Sequence, residues 1–305
     1  MKRMKTTGFL LIGMVVFFFA GMPSVLADCG DIRNQSQAAI SENNLTRLTA
    51  LYRKAQNTAD CSEAFISWLG KETAIAHIKS AMALVSEKRE KEAIVLLNRS
   101  LTTLRHWMAL AMLGDVMMDK KDFANAAVKY QEALDIISQE ELTPDPPKPA
   151  IIGKIFKKAE QCRLLADTYI AATKNRSGEH GGLSRISFRG FTPARVSVPI
   201  TFPFDSSKFT EKGEEAAADM LEYLKEQKEP DILLIGHTDP TGDAAYNLAL
   251  SEKRVRAVKQ YLMKHGYKGR IKTEGRGETD LYPVDTKQFS EEEYYRMCRR
   301  VELER

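Results

Sequence analysis

The stretch "DILLIGHTDPTGDAAYNLALSEKRVRAVKQYL", Asp231 to Leu262, decides how the C-terminal part of the chain folds. It begins as a continuous apolar run, breaks at a loop of small and polar residues, and continues with the spacing of a helix. A continuous apolar run is typical of a strand that is covered on both faces. The stretch therefore predicts a central strand that leads into a long helix, from Ala244 to about His265.

Further strands and one more helix surround this unit. The runs "ARVSVPITFPF", "RIKTEG" and "RRVELE" are strand-like, and "FTEKGEEAAADMLEYLKEQ" has the apolar spacing of an amphipathic helix. The resulting order, β-α-β-α-β-β, predicts an α/β sandwich in which helices pack on one sheet. We expect this domain to span residues 196–305.

The preceding part of the chain has helical periodicity. In "WMALAMLGDVMMDKKDFANAAVKYQEALDII", Gly114 and Ala126 are small enough for two helices to cross closely beside Tyr130. A weaker copy of this pattern precedes it, and the spacings resemble the tetratricopeptide repeat (TPR). The fold class we predict is multi-domain: an all-α, TPR-like helical-repeat domain at residues 28–174, a linker at 175–195, and the α/β domain.

The N-terminus reads as a targeting segment. A basic start, an apolar run from Gly8 to Met22 and small or branched residues before Ala27 predict a signal peptide over residues 1–27. A lipid anchor on Cys29 is an alternative, although Asp28 stands where such signals usually have a small uncharged residue. Retention of the apolar run as a membrane anchor is a second alternative. Either way, we expect an exported, periplasmic protein.

Export gives the cysteines an oxidising environment, in which disulfides persist. Cys29 and Cys61 lie at the two ends of the first helical segment, so they are a possible disulfide. Cys162 and Cys298 are candidates for free thiols. The spacing of the four residues matches neither a zinc ribbon nor a redox pair.

Charge and motifs argue against two classes of function. Of the formal net charge of +4, Lys2, Arg3 and Lys5 of the leader contribute three units, so the mature chain has no basic excess suited to nucleic acid. The sequence has neither a Gly-x-Ser-x-Gly nor a His-Glu-x-x-His motif, and its five histidines are scattered. We therefore expect no enzyme activity, no metal site and no cofactor.

Two charged residues in the opening stretch have two interpretations each. Arg254 falls within the apolar stripe of the long helix, where it either lies at the edge with its head in water or faces a cleft and binds an anion. Asp239, at the end of the strand, either caps loop amides or holds a ligand ammonium. Spacing alone leaves both pairs of alternatives open.

The motif "GHTDPTGDAAYNLALSEKRVRAVKQYL" resembles the peptidoglycan-binding signature of the OmpA-like family, which includes Pal-type lipoproteins and the periplasmic part of MotB-type motor proteins. "GRGETDLYP" and "RRVEL" resemble the family's Gly-x-Gly-Glu loop and last strand. The chain departs from the family in three places: Cys298 replaces an asparagine, Val255 replaces an alanine, and the loop from Glu278 to Pro283 is longer.

The resemblance implies that the ligand is the diaminopimelate of the peptidoglycan stem peptide. Asp239 would hold its ammonium group and Arg254 a carboxylate, with the family's spacing of fifteen residues. Thr238, Asn247 and Leu250 would shape the pocket wall. The resemblance also implies a cell-envelope protein without catalytic activity, associated with the cell wall.

We therefore expect a periplasmic, cell-wall-associated adaptor that binds peptidoglycan and presents its helical domain to an unknown envelope protein. Association with the outer membrane through that partner is one option. One alternative is a periplasmic TPR scaffold or assembly factor whose C-terminal domain no longer binds peptidoglycan. Another is a membrane-anchored, stator-like protein. The partner and the oligomeric state are beyond the sequence.

Overall fold

The computed structural model describes residues 28–171 and 188–304. The predicted signal peptide, residues 1–27, lies outside the described residues, and so does most of the predicted linker. The first described range is helical, with α1 at Cys29–Ser41, α2 at Leu45–Gln56, α3 at Glu63–Ser86, α4 at Glu90–Thr103, α5 at Trp107–Asp119, α6 at Phe123–Ser138 and α7 at Pro149–Leu165.

Several of these helices begin at a residue suited to cap them. The side chains of Asn44, Ser62 and Asp122 each accept a hydrogen bond from a backbone N–H in the first turn of α2, α3 and α6. Such caps satisfy amides that have no partner inside the helix. The proline-rich stretch before α7 ends at Pro149, the first residue of that helix, where its missing N–H costs nothing.

Successive helices pack in pairs, and the pair α5–α6 has the close crossing that the sequence predicts. A methyl group on Gly114 would lie 2.7 Å from Cε1 of Tyr130, so the two helices meet at van der Waals distance. Tyr130 is fully buried, and its hydroxyl donates to Asp115 at 2.5 Å. An all-α N-terminal region is therefore shown, while its assignment to the TPR class stays a prediction.

A disulfide joins Cys29 to Cys61, with the two Cα atoms 5.1 Å apart. It ties the start of α1 to the turn before α3, and both half-cystines pack in the core of the first three helices. Cys162 and Cys298 are free and buried.

The second described range contains the α/β domain. Its elements are β1 at Arg195–Val198, α8 at Glu211–Glu226, β2 at Ile232–His237, α9 at Ala244–Lys264, β3 at Ile271–Gly277, a short 3-10 helix at Thr286–Gln288, α10 at Glu291–Cys298 and β4 at Val301–Glu304. The sheet order is β1-β4-β2-β3, with β2 parallel to β3 and antiparallel to β4. The predicted central strand therefore lies inside the sheet, and the α/β class is confirmed.

One face of the sheet packs against α8 and α9. Leu234 of β2, Leu224 of α8 and Val258 of α9 are fully buried in a common core. These positions belong to the apolar run and the apolar helix stripes of the sequence, so burial of the two stripes fixes both helices on the sheet.

Helix α7 is shared between the two regions. Its middle packs in the core of α5 and α6, together with Phe188 and Val196. Its last residues, Leu164 and Leu165, pack against Met297. Phe188 is 0% exposed, so this end of the predicted linker is packed rather than solvated.

Polar contacts reinforce this junction. The buried carboxylate of Glu160 accepts hydrogen bonds from the N–H of Ser197 at 2.6 Å and from the hydroxyl of Tyr282 at 2.7 Å. Burial raises the pKa of Glu160 above its usual value, and these two bonds oppose the shift. At the end of α7, Arg296 donates to the carbonyl of Leu165 at 2.7 Å, and Lys212 donates to that of Ala166. Cations at a helix C-terminus interact favourably with its dipole.

A buried ion pair lies at the start of β4. Arg300 donates from Nε to Oε1 of Glu302 at 2.7 Å, and the Arg300 side chain is 1% exposed. Nε2 of His237 lies 3.5 Å from the other Glu302 oxygen, which is an electrostatic contact rather than a short hydrogen bond. Burial would raise the pKa of Glu302, but His237 and Arg300 lower it to about 2.

Among the residues that the structure describes, no helix has the length and apolar character needed to cross a bilayer.

The Gly114 crossing makes a first prediction. Gly114→Ala should lower the free energy of unfolding by roughly 1–3 kcal/mol, since its methyl group overpacks Tyr130. Gly30→Ala on α1 is the control, because the nearest atom to its methyl group belongs to the exposed side chain of Asp28 at 3.3 Å. Urea unfolding of both variants measures the difference. Equal stabilities would contradict the close crossing.

The ion pair makes a second prediction. Glu302→Gln should lower the free energy of unfolding by roughly 3–5 kcal/mol at neutral pH, because it leaves Arg300 buried without its counter-charge. Glu304→Gln on the same strand, whose partner Arg195 is 36% exposed, should cost less than about 1 kcal/mol.

The pH dependence follows from the lowered pKa. The carboxylate is favoured in the folded state, so its stabilising contribution is complete above the ordinary glutamate pKa and is lost as pH falls from that value towards about 2. The stability gap between wild type and Glu302→Gln should narrow in that range. A gap that stays constant from pH 6 to pH 3 in chemical unfolding would count against the assignment.

Candidate functional site

The site is organised by the close approach of α9 to the sheet. A methyl group on Gly236 of β2 would lie 2.7 Å from the carbonyl oxygen of Ser251. Gly277 has φ +52°, a conformation that favours glycine, and its N–H donates to Oγ of Ser251 at 2.9 Å. These motif residues are therefore structural: they set the distance between strand and helix, and with it the position of Arg254.

Asp239 lies directly beyond β2, and its side chain is 15% exposed. One carboxylate oxygen accepts from the N–H of Thr241 at 3.0 Å, and the other accepts from Nη1 of Arg299 at 2.7 Å. Burial would raise the pKa of Asp239, but the bonds from Arg299 and Thr241 outweigh it, so the pKa lies below its usual value. Asp239 is therefore an anion that caps its loop and is already paired.

Arg254 is 7% exposed. The interpretation that placed its guanidinium in water at the edge of the helix stripe is therefore wrong. Nε donates to the carbonyl of Ser206 at 3.0 Å and Nη2 to that of Pro203 at 3.4 Å, while the guanidinium lies 5.1 Å from the ring centre of Phe202. Within the described residues, Nη1 has no hydrogen-bond acceptor. One donor is thus available for a ligand.

The loop at residues 203–206, whose carbonyls bind Arg254, is also tied to α9, because the hydroxyl of Tyr246 donates to the carboxylate of Asp205. Burial lowers the pKa of Arg254, and the charge of Arg299 adds to this effect, while the charges of Asp239 and Asp205 oppose it. Arg299, which is hydrogen-bonded to Asp239, lines the same cavity as Arg254, so the two predicted site residues lie at the same end of the domain.

The three supporting residues differ in their placement. Thr238 is 3% exposed, and among the described residues its hydroxyl has no hydrogen-bond partner. Nδ2 of Asn247 donates to the carboxylate of Glu278 at 2.6 Å and to the carbonyl of Asp239 at 3.4 Å. It therefore links α9 to the loop after β3 and to the loop after β2. Leu250 lies half-buried on α9, and it is not among the described residues that line the neighbouring cavity.

A cavity of about 380 Å³ adjoins Arg254 and Arg299. It lies between the end of α7, the start of α8, β2 and α10, and we call it the basic cavity because five of its side chains are cationic and two are acidic. Its lining consists of Leu164, Asp167, Ile200, Thr201, Phe202, Thr210, Lys212, Gly236, His237, Arg254, Glu292, Arg296, Arg299, Arg300 and Val301.

Of the five cations in this lining, the sequence predicted only Arg254 as a site residue. "RRVELE" was expected to be a strand from its first residue, whereas Arg299 caps the end of α10 and bridges Asp239 and Glu292. The two adjacent arginines before an alternating run are a signal that could have pointed to it. Lys212 and Arg296 carry no local signal, because their role depends on the distant end of α7.

Two departures from the family pattern coincide with this junction. Cys298 is fully buried and packs with Leu165 of α7, an apolar contact that an asparagine would not make. The longer loop carries Tyr282, whose hydroxyl reaches Glu160. Both changes therefore accompany the docking of the helical region.

No group of three or more potential metal ligands occurs in the described ranges. The arrangement is suited to a zwitterionic ligand, because the anion of Asp239 and the cation of Arg254, with Nη1 free to donate, lie near a basic cavity.

Comparison with known proteins places this site within a family. Residues 201–296 match the OmpA family. The chain is 35% identical over 104 residues to outer membrane protein A of Bordetella avium, which covers 34% of this chain and 52% of that protein. It is 34% identical over 87 residues to outer membrane porin F of Pseudomonas aeruginosa, covering 28% and 25% respectively. The chain thus spans between a quarter and about half of the length of these relatives.

Among solved structures, the peptidoglycan-associated lipoprotein from Burkholderia pseudomallei is similar to 35% of this chain and 87% of its own length, with 28% identity and a TM-score of 0.30. The chain contains an OmpA family domain at residues 201–296.

Proposed function

We propose that this protein is a non-catalytic cell-envelope protein that binds peptidoglycan non-covalently, through the diaminopimelate of the stem peptide. The observation that carries the proposal is the placement of Asp239 and Arg254, here called the clamp, at one end of the OmpA family domain, where Arg299 contacts Asp239 and lines the same cavity as Arg254. Diaminopimelate presents an ammonium and a carboxylate on one carbon. An anion and a cation held at fixed positions match that pair of charges.

Each half of the clamp has a defined task. Asp239 stays ionised because its pKa is lowered, so it can accept a hydrogen bond from the ligand ammonium. Arg254 is held by two backbone carbonyls and keeps Nη1 for a carboxylate oxygen. Because the protein already fixes the guanidinium, the ligand does not bear the entropy cost of ordering it.

Arg299 would compete with the ligand ammonium for the carboxylate of Asp239. It donates to one oxygen of Asp239, and it also pairs with Glu292, whose side chain is 70% exposed. An incoming ammonium must share the Asp239 carboxylate with Arg299 or displace it. This pairing favours modest affinity for a single stem peptide, and the repeated sites of a wall polymer would raise retention through avidity.

The remaining parts of the chain fit an adaptor. We propose that residues 1–27 direct export to the periplasm and are removed, and that residues 28–174, with their TPR-like spacing, present a surface to an envelope protein. The C-terminal α/β domain, which we place at residues 196–305 and which contains the OmpA family match, would hold the protein at the cell wall. The disulfide between Cys29 and Cys61 is in keeping with an oxidising compartment.

One observation favours a second candidate. The ion pair of Asp239 with Arg299 already satisfies the clamp anion, as expected of a scaffold whose domain no longer binds peptidoglycan. The two candidates differ in whether removing a clamp charge changes wall binding.

The clamp makes the third prediction. Asp239→Asn and Arg254→Gln should each reduce co-sedimentation of the mature protein with diaminopimelate-type sacculi by roughly tenfold or more in apparent affinity, since each removes a charge that the ligand needs. Asparagine retains an oxygen for the Thr241 amide, so the loop should stay folded. Circular dichroism and thermal unfolding should verify the fold of both variants.

Arg256→Gln is the matched control. It lies on the same helix, but its side chain is 64% exposed and pairs only with Glu252 in the described structure. Its binding should equal that of wild type. If all four proteins pellet alike, or if wild type stays in solution, the scaffold alternative replaces wall binding.

A further inference from the structure

The basic cavity is built by both regions of the protein. Leu164 and Asp167, at the end of α7, form one side, and the clamp residue Arg254 with Arg299 forms another. The helical region therefore supplies part of the wall next to the clamp.

Arg296 and Lys212 are the two cations at this junction. Arg296 donates from Nη2 to the carbonyl of Leu165 at 2.7 Å and to Oδ1 of Asp167 at 3.0 Å. Asp167 is a weak neutralising partner, because its side chain is 92% exposed. In the described part of the chain, Nε and Nη1 of Arg296 have no acceptor, so each of these two nitrogens can still donate a single hydrogen bond to a ligand.

Lys212 is less well neutralised. It donates to the carbonyls of Ala166 and of Arg163, the latter at 3.4 Å, and within the described ranges no carboxylate lies within 4.0 Å of its ammonium. Burial lowers the pKa of Lys212 to about 8, with repulsion from Arg296 and Arg163 in the same direction and attraction to Asp167 against it. An anion in the cavity would relieve this repulsion.

We propose that the basic cavity binds a second carboxylate of the stem peptide, held by Arg296 and Lys212 next to the diaminopimelate in the clamp. The inference rests on the proposed function, and it adds a second contact point that the helical region helps to build. The free N–H groups of a guanidinium and an ammonium are donors that recognise a carboxylate.

The available space and charge agree with a carboxylate. The cavity volume of about 380 Å³ accommodates the end of a peptide. The clamp residue Arg254 lines the cavity, and so does Arg299, which is bonded to the clamp residue Asp239, so the two sites adjoin. Its acidic lining residues, Asp167 and Glu292, are both largely exposed and leave the positive charge in excess.

The fourth prediction compares three soluble peptides by calorimetry on the mature protein. The first is L-Ala–γ-D-Glu–diaminopimelate–D-Ala with all its carboxylates. The second has a carboxamide at the terminal D-Ala, and the third has one at the α-carboxyl of the glutamate. We expect one of the two carboxamide peptides to bind about tenfold more weakly than the acid, because it lacks a charge-assisted hydrogen bond. The weaker peptide identifies the carboxylate that enters the cavity.

Arg296→Gln should abolish that difference between acid and amide. Glutamine keeps an N–H donor for the α7 carbonyls, and Arg256→Gln is the control that should keep the difference. A structural role of Arg296 would weaken all three peptides equally and leave their ratio unchanged.

Two failures are distinguishable. If Asp239→Asn abolishes binding while both carboxamides bind wild type as tightly as the acid, the second contact point is wrong and the clamp stands. A carboxamide penalty that survives in Arg296→Gln overturns the assignment to Arg296. If wild type binds none of the peptides, the proposed function falls, and the second contact point falls with it. The comparison of peptides on wild type requires no variant, so misfolding of Arg296→Gln does not affect it.

Discussion

The buried carboxylate of Glu160 is the interaction on which the arrangement of the two regions depends. It can be buried only with hydrogen-bond partners, because desolvating an unpaired acid is expensive. Those partners come from elsewhere in the chain: the N–H of Ser197 on β1 and the hydroxyl of Tyr282 in the loop after β3. Helix α7, the edge of the sheet and that loop must therefore assemble together.

The position of the site follows from this assembly. With α7 docked, its last carbonyls receive hydrogen bonds from Arg296 and Lys212, and its side chains close one side of the basic cavity. On the opposite side, the close approach of α9 to β2 places Arg254 beside the loop that carries Asp239. Arg299 joins the loop that carries Asp239 to α10, because it contacts both Asp239 and Glu292.

Local sequence patterns predict the elements well. The apolar run of β2 and the stripe of α9 are recognisable because periodicity reports burial directly, and the glycines of the motif report close packing. The resemblance to a family, rather than spacing, singled out Asp239 and Arg254 as a pair. The ion pair of Asp239 with Arg299 and the contact of Glu160 with Tyr282 join residues 60 and 122 positions apart, so no local pattern reveals them. The replacement of asparagine by Cys298 could be seen in the sequence, but its reason became clear only with Leu165 packed against it.

Helix α7 has 17 residues, and so a length of about 25 Å. It runs as one rigid element from the core of the helical region to the wall of the basic cavity. On the proposed function, a protein that pulls on the helical region while the other domain holds the cell wall puts this junction under tension. The contacts of Glu160, Arg296 and Lys212 would resist that tension. On that proposal, the junction that bears the load is also the place where the ligand binds.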